Sequence, residues 1–159
     1  MSLAYIGIGS NQGTPRAQVV AAFEELADLP RTRLTGRSPM YSSDPVDAPG
    51  QPRYVNAVGA LRTDLAPQAL LASLQAVEAR RGRERPFPNA PRTLDLDLLL
   101  YDDIVLDTPT LTLPHPRMHL RAFVLQPLLD LDPGASVPGR GDARTLLRTC
   151  AGQRIARLD

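Results

Sequence analysis

Apolar residues recur with strand-like and helix-like spacing along the first hundred positions of this chain. Alternating or short apolar runs bounded by turn residues predict strands, at 3–9, 31–41, 54–63 and 94–100. Helical spacing predicts two helices, one capped by Thr14 or Asn11 with Pro15 at its first position and ending before Pro30, the other at 65–81. The elements therefore alternate between strands and helices as β-α-β-β-α-β.

This order is typical of an α+β fold, a ferredoxin-like antiparallel sheet with its helices on one face. The rest of the chain predicts a short strand at 104–106, a helix at 117–129 and a small C-terminal extension of short elements. Prolines and glycines predict loops at 42–53 and 82–91, and long loops in compact domains are often functional. We expect a single domain over residues 1–159.

Two aspartates interrupt the apolar run of the fourth predicted strand. Asp95 and Asp97 stand at i and i+2, so their side chains point to the same face, with Cα atoms roughly 6–7 Å apart. Paired carboxylates repel unless a positive charge lies between them, and Mg²⁺ takes one or two carboxylates together with waters and phosphates. An exposed strand face paired with Arg92 is the alternative, and the spacing leaves both open.

Arginines surround the second predicted loop, at positions 80, 81, 83, 85 and 92. Beside a metal site they would neutralise a polyphosphate, although a solvated basic turn at a helix end gives the same pattern. The chain has no lysine, which excludes a Walker A phosphate loop and leaves arginine as the charged phosphate ligand.

Tyr54 and Asn56 share one face of the third predicted strand. An aromatic ring stacks on a flat heterocycle, and a side-chain amide donates to and accepts from its edge. The alternative is an ordinary pair on the sheet surface.

Other features narrow the class of protein. The formal net charge of +1 favours neither a nucleic-acid partner nor a membrane surface. One cysteine, Cys150, excludes an internal disulfide and fits a reducing, cytoplasmic compartment. The glycines at positions 7, 9 and 13 miss the spacing of a dinucleotide fingerprint. His115 and His119 lack the intervening glutamate of a zinc helix, so zinc is not expected.

Taken together, these motifs resemble the 6-hydroxymethyl-7,8-dihydropterin pyrophosphokinases of folate biosynthesis. The resemblance runs nearly end to end and rests on five segments, residues 5–11, 54–57, 91–97, 113–118 and 121–123. The sequence departs from the family's pattern in residues 87–90, where the loop is one residue shorter, and at Pro116, where a tyrosine is common.

The resemblance implies a set of site residues. The pterin-binding residues are Ser43, Asp44, Val46, Tyr54, Asn56 and Phe123. The ATP-binding residues are Gln75, Glu78, Arg85, Arg92, Leu98, His115 and Arg121. The catalytic residues are Arg83, Arg92, Asp95 and Asp97, and the metal ligands are Asp95 and Asp97.

The resemblance also implies the reaction. The pterin hydroxymethyl oxygen attacks the β-phosphorus of ATP and AMP leaves, with two Mg²⁺ ions expected and Asp97 as the candidate proton acceptor. The implied partners are the small molecules ATP and 6-hydroxymethyl-7,8-dihydropterin, with no nucleic acid, no membrane and a monomeric protein.

Two other functions fit parts of the pattern. Another Mg²⁺-dependent phosphoryl or nucleotidyl transferase would use the same aspartates but leaves Tyr54, Asn56 and Phe123 unexplained. A ferredoxin-like ligand-binding or RNA-binding module is the non-enzymatic alternative, but an RNA-binding sheet needs more aromatic residues than the 4% found here.

Overall fold

A computed structural model describes residues 1–44, 52–82 and 93–158 of the chain. The described strands are β1 Ser2–Ser10, β2 Thr32–Arg37, β3 Tyr41–Ser43, β4 Tyr54–Thr63, β5 Asp95–Tyr101, β6 Leu106–Asp107, β7 Thr112–Leu113, β8 Ser136–Val137, β9 Gly141–Asp142 and β10 Ile155–Arg157. The helices are α1 Pro15–Ala27, α2 Pro67–Arg81, α3 Ala122–Leu131 and α4 Ala143–Thr149, with a 3-10 turn at Met118–Leu120. No helix within these ranges is both long enough and apolar enough to cross a membrane.

The main sheet is antiparallel at every described pairing, in the order β10-β3-β4-β1-β5, with β2 also paired to β4. The fold is thus a mixed α/β architecture built on an antiparallel sheet. Its first elements follow the predicted β-α-β-β-α-β order, except that the second strand is divided in two.

That division occurs at Ser38 and Pro39, inside the single strand predicted at 31–41. The backbone N–H of Ser38 still donates to the Val58 carbonyl at 2.9 Å, and its Oγ accepts from the Val58 N–H at 2.8 Å. Proline has no N–H to continue the ladder, so the strand breaks and restarts as β3. Arg31 precedes the strand with a φ of 54°, in the left-handed region.

Two apolar cores lie on opposite faces of the sheet. Residues of α1 and α2 such as Val19 and Leu74 pack with Ile6 and Leu96 in the first core. Residues of α3, of the 3-10 turn and of α4 pack with Val58 and other sheet residues in the second core. The two helices of the predicted β-α-β-β-α-β order, α1 and α2, therefore share one face, and α3 and α4 pack on the other.

Three other predictions change. The helix predicted at 117–129 begins as a 3-10 turn and restarts as α3, because Arg121 is extended with φ −123° and ψ 109°. The short strand lies at Leu106–Asp107 rather than 104–106, paired with β7. The C-terminal extension is not separate from the sheet, since β10 pairs with β3.

Candidate active site

A cavity of about 600 Å³ opens on the sheet face that carries α3. This volume is typical of a site for a small molecule. Its walls include eight of the residues singled out from sequence, Ser43, Asp44, Tyr54, Asn56, Asp95, Asp97, Arg121 and Phe123. These residues, up to eighty positions apart in the sequence, thus meet around one cavity.

Glycines at the centre of β1 form the floor of this cavity. Gly9 pairs with Asn56 on one side and with Asp95 on the other, and Gly7 pairs with Asp97. The two aspartates point to the cavity face, as their spacing predicts, while Leu96 between them is buried in the first core. Because neither glycine has a side chain, the floor stays open between the amide and the carboxylates.

Asn56 is 6% exposed and is held by a defined hydrogen bond. The Ser43 hydroxyl donates to its Oδ1 at 2.7 Å. A Cβ placed on Gly9 would stand 3.1 Å from its Nδ2, which is tighter than an ordinary contact. The amide is therefore oriented from one side by Ser43 and given space on the other by glycine, with hydrogen-bonding capacity left for a ligand edge.

Two aromatic side chains line the same cavity. Tyr54 begins β4, and burial followed by the nearby Asp95 carboxylate raises the pKa of its hydroxyl. Phe123 stands in the first turn of α3, with the Arg121 Cζ 5.6 Å from its ring centroid. This geometry allows a cation–π contact between Arg121 and the phenyl ring.

His115 lies beside the carboxylate pair. Its Nε2 is 4.0 Å from the Asp97 Oδ1, and the two side chains are 19% and 44% exposed. Burial lowers the pKa of His115, while Asp97 acts in the opposite direction. The Arg117 backbone N–H donates to Nδ1 at 3.1 Å, so in the neutral imidazole Nε2 carries the hydrogen and directs it towards Asp97.

Four predicted ATP contacts do not line the cavity, namely His115, which lies beside Asp97, and Gln75, Glu78 and Leu98. Leu98 is buried in the first core, and Gln75 lies exposed on α2, which packs against that same face. Glu78 accepts a hydrogen bond from the Leu96 backbone N–H at 2.9 Å and so fixes β5 between its two aspartates. Their roles as nucleotide contacts remain predictions, and the described cavity does not include them.

The basic cluster around the second loop is divided. Arg80 and Arg81 both pair with Glu25 of α1, at 3.2 and 2.8 Å, and so join the two helices. Arg80 and Arg81 therefore fit the alternative interpretation, a basic turn at the end of a helix. Other predicted site residues lie outside the described residues, namely Arg83, Arg85, Arg92 and Val46.

The described residues that flank the two undescribed segments are anchored near the cavity. Asp44 pairs with Arg53 at 3.1 Å across the first of them. Next to the second, the Thr93 hydroxyl donates to the Arg81 carbonyl at 2.6 Å, and the Thr93 backbone carbonyl accepts from the Ser10 hydroxyl at 2.5 Å. The start of β5 is thereby tied to the ends of α2 and β1.

Several cavity residues were not singled out from sequence. Gly7 and Gly9 belong to a segment that carries the resemblance, but the sequence assigns them no site role, whereas their role here is the absence of a side chain. Leu120 and Gln153 also line the cavity. Gln153 carries no sequence signal, because it stands in a polar tail and reaches the site only through the pairing of β10 with β3.

The fold and the cavity define an α/β protein with a small-molecule site that combines two carboxylates, a buried amide and aromatic rings. The family model described as 7,8-dihydro-6-hydroxymethylpterin-pyrophosphokinase (HPPK) matches residues 5–133. The chain belongs to this family.

Its similarity to individual members extends over nearly the whole length. It is 48% identical over 154 residues to a 2-amino-4-hydroxy-6-hydroxymethyldihydropteridine pyrophosphokinase of Pseudomonas aeruginosa, covering 97% of this chain and 95% of the relative. It is 38% identical over 159 residues to the Haemophilus influenzae protein of the same name, covering 100% and 99%.

A solved structure extends the likeness to the fold. The wild-type Plasmodium falciparum HPPK-DHPS crystal structure with pteroate has a TM-score of 0.73 at 12% identity, covering 93% of this chain and 42% of that one. At this level of identity the likeness concerns the fold alone.

Proposed function

We propose that this protein transfers pyrophosphate from ATP to the hydroxymethyl group of 6-hydroxymethyl-7,8-dihydropterin, releasing AMP, as a step of folate biosynthesis. Its membership of the HPPK family, with relatives named for this activity that it matches over nearly their full length, supports the assignment. The cavity has the size and chemistry that a small flat acceptor requires.

One observation carries the proposal: Asn56 and Asp95 are cross-strand neighbours on either side of Gly9. Adjacent strands lie about 4.8 Å apart, so the backbone positions of the amide and the carboxylate are separated by about 10 Å across an open floor. A bicyclic ring bound at its edge by Asn56 would extend over the glycine and bring its substituent towards the carboxylates. The acceptor and phosphate sites thus share one cavity.

The acceptor contacts follow from the cavity walls. Asn56 would hydrogen-bond the pterin edge, and Tyr54 and Phe123 would stack on its two faces. The residues at 43 and 44 would complete this subsite, with Val46 predicted from sequence alone. Holding the acceptor rigidly beside the phosphate converts a bimolecular encounter into an oriented one.

The phosphate side uses charged residues. Arg121 and His115 would contact the nucleotide, with Gln75, Glu78 and Leu98 predicted at its outer side. Arg83, Arg85 and Arg92 are proposed as the phosphate clamp that neutralises charge as AMP leaves.

The carboxylate pair fits Mg²⁺. No group of three or more His, Cys, Asp or Glu side chains that could hold a metal is found among residues 1–44, 52–82 and 93–158. Two carboxylates suffice for Mg²⁺, which keeps waters and substrate phosphates as its other ligands, and Asp95 and Asp97 would supply them. When bound, Mg²⁺ neutralises phosphate charge. The Nε2–H of His115 would help to hold the Asp97 carboxylate in position.

The finer features of the fold and setting are also proposals. The order β3-β4-β1-β5, with α1 and α2 on one face, supports the ferredoxin-like plan. A cytoplasmic location is supported by one buried, free cysteine, Cys150, while a single domain and a monomer are predictions from the sequence.

The test is an omission assay for the nucleotide product. Purified protein is mixed with ATP, Mg²⁺ and 6-hydroxymethyl-7,8-dihydropterin, and each component is left out in turn. AMP formed only when all three are present is the expected result. ADP as the product would mean ordinary kinase chemistry, and no product from folded, ATP-binding protein would contradict the proposed reaction.

A further inference from the structure

The last described residues, 150–158, contact both walls of the cavity, and we call them the C-terminal strap. They lie beyond residues 5–133, which the family model matches. On one side the strap forms β10, which pairs with β3 next to Ser43. On the other side it reaches the start of α3, which carries Phe123.

At the start of α3, Gln153 makes two hydrogen bonds with one amide. Its Oε1 accepts from the Ala122 backbone N–H at 2.9 Å, and its Nε2 donates to the Leu120 carbonyl at 2.7 Å. These two partners flank Arg121. The Gln153 side-chain amide therefore bridges the residues on either side of Arg121, the residue at which the 3-10 turn ends and α3 begins.

Arg121 needs this bridge because of its position. It is the N-cap of α3, and it makes no side-chain cap hydrogen bond. N-cap positions favour Ser, Thr, Asp and Asn, whose oxygens accept from the first free N–H groups of the helix. A guanidinium has no acceptor, so arginine cannot fill this role. Gln153 instead accepts from another free N–H of this helix end, that of Ala122 at the first helical position, from 31 positions further along the chain.

The other end of the strap is held by the sheet. Ile155, Ala156 and Arg157 pair with β3, and the Leu158 N–H donates to the Met40 carbonyl at 2.8 Å. The bridge is thus anchored to the wall that carries Ser43, and the strap joins the two walls in addition to the direct hydrogen bond from Tyr41 of β3 to Asp130 of α3.

We propose that Gln153 is a positioning residue, which caps α3 by accepting from its first N–H and so fixes both Arg121 and Phe123 at the cavity. The arginine at the N-cap lines the cavity, and the strap supplies hydrogen bonds on either side of it. The role of the cavity in pterin and ATP binding rests on the proposed function, whereas the capping does not.

The capping is tested by hydrogen exchange at the Ala122 amide. Gln153→Met keeps the length of the side chain and removes both hydrogen bonds. Arg154→Met is the control, because it places the same side chain at the exposed neighbouring residue. Losing a hydrogen bond of ordinary strength predicts that the Ala122 amide exchanges about tenfold faster in Gln153→Met than in the wild type. Equal exchange in both variants would overturn the capping, and this measurement needs no turnover.

The consequence for the cavity is tested by steady-state kinetics. In Gln153→Met the KM values for pterin and ATP should rise about three- to tenfold while kcat changes by less than about twofold. A merely structural role would reduce the folded fraction, lowering kcat and leaving KM unchanged. Unchanged KM values with faster Ala122 exchange would overturn the positioning role, and a wild type that forms no AMP would contradict only the proposed function.

Discussion

The two faces of the central sheet differ although the same strands build both. On the first face, β1 and β5 present Ile6, Ile8, Leu96 and Leu98 to α1 and α2, and all four are buried. On the second face, the alternate positions at the end of β1 and the start of β5 are glycines and aspartates, which line the cavity.

This difference shows how one pair of strands separates stability from chemistry. Side chains alternate across a strand, so each residue that stabilises the first core has a neighbour that is available to the site. The second face is packed at the other end, where α3 covers Val58 and Ala60, and it opens into the cavity at Gly7 and Gly9. We therefore expect substitutions on the two faces to affect different measured quantities.

Adjacent positions of β5 give the largest expected contrast. Asp97→Ala should lower kcat at least about a hundredfold, since it removes a proposed ligand of the Mg²⁺ that would neutralise phosphate charge, and should leave pterin binding measurable. Leu96→Ala should lower the free energy of unfolding by about 2–5 kcal/mol, because it opens a cavity in the first core. Kinetics and denaturant unfolding of both variants would measure the contrast. Near-normal turnover in Asp97→Ala would remove this residue from the site.

Gly9→Ala should weaken pterin binding about tenfold or more. The added Cβ would stand 3.1 Å from the Asn56 Nδ2 and displace the amide that reads the acceptor. Gly134→Ala is the matched control, because its Cβ would make only an ordinary 3.6 Å contact with the Asp132 Oδ1. Calorimetric titration with the pterin measures both variants. Equal affinities would mean that the floor has room that the structure does not show.

Tyr41→Phe should lower the free energy of unfolding by about 1–2 kcal/mol, since the Tyr41 hydroxyl donates to Asp130 and joins β3 to α3. Burial, together with this hydrogen bond, raises the pKa of Tyr41 to about 12. The stability that protonated Tyr41 contributes is fully present below pH 10, the ordinary pKa of a tyrosine in the unfolded chain. It is lost as the pH rises from 10 through 12, because the unfolded state releases this proton before the folded state does.

Unfolding of the wild type and Tyr41→Phe at pH 8 and pH 11 checks this prediction. The difference in stability between the two proteins should shrink at the higher pH. A difference that stays constant between the two pH values would show that Tyr41 does not titrate as described.

Ser43→Ala should give the smallest effect, a pterin affinity lower by about three- to tenfold. It removes the hydroxyl that orients the Asn56 amide and leaves the backbone of β3 in place. Ser43→Thr keeps the hydroxyl and should bind like the wild type. If the two variants bind equally, the hydroxyl does not orient the amide.

Much of this arrangement could be predicted from sequence because it depends on local periodicity. The spacing of Asp95 and Asp97, and of Tyr54 and Asn56, specifies a common face within each strand whatever the tertiary structure. The prolines and glycines mark the breaks between elements in the same way. These signals were sufficient for the order of the main elements and for four of the cavity residues, Tyr54, Asn56, Asp95 and Asp97.

What the sequence did not reveal depends on contacts between distant segments. The side of the sheet covered by α3 depends on packing that no local pattern encodes. Gln153 matters only because β10 returns to pair with β3. The resemblance predicts Leu98 and Glu78 at the ATP site. Strand alternation, however, directs the Leu98 side chain to the sheet face opposite Asp97, where it is buried in the first core.

The most direct test is a ¹⁵N NMR titration with 6-hydroxymethyl-7,8-dihydropterin, which shows on which face of the sheet this acceptor binds. The account predicts that the amide signals of Gly9, Asn56 and Phe123 shift together at the lowest ligand concentrations, while those of Leu70 and Leu74 on α2 do not. Shifts confined to α1 and α2, with the cavity residues unchanged, would contradict the placement of the active site.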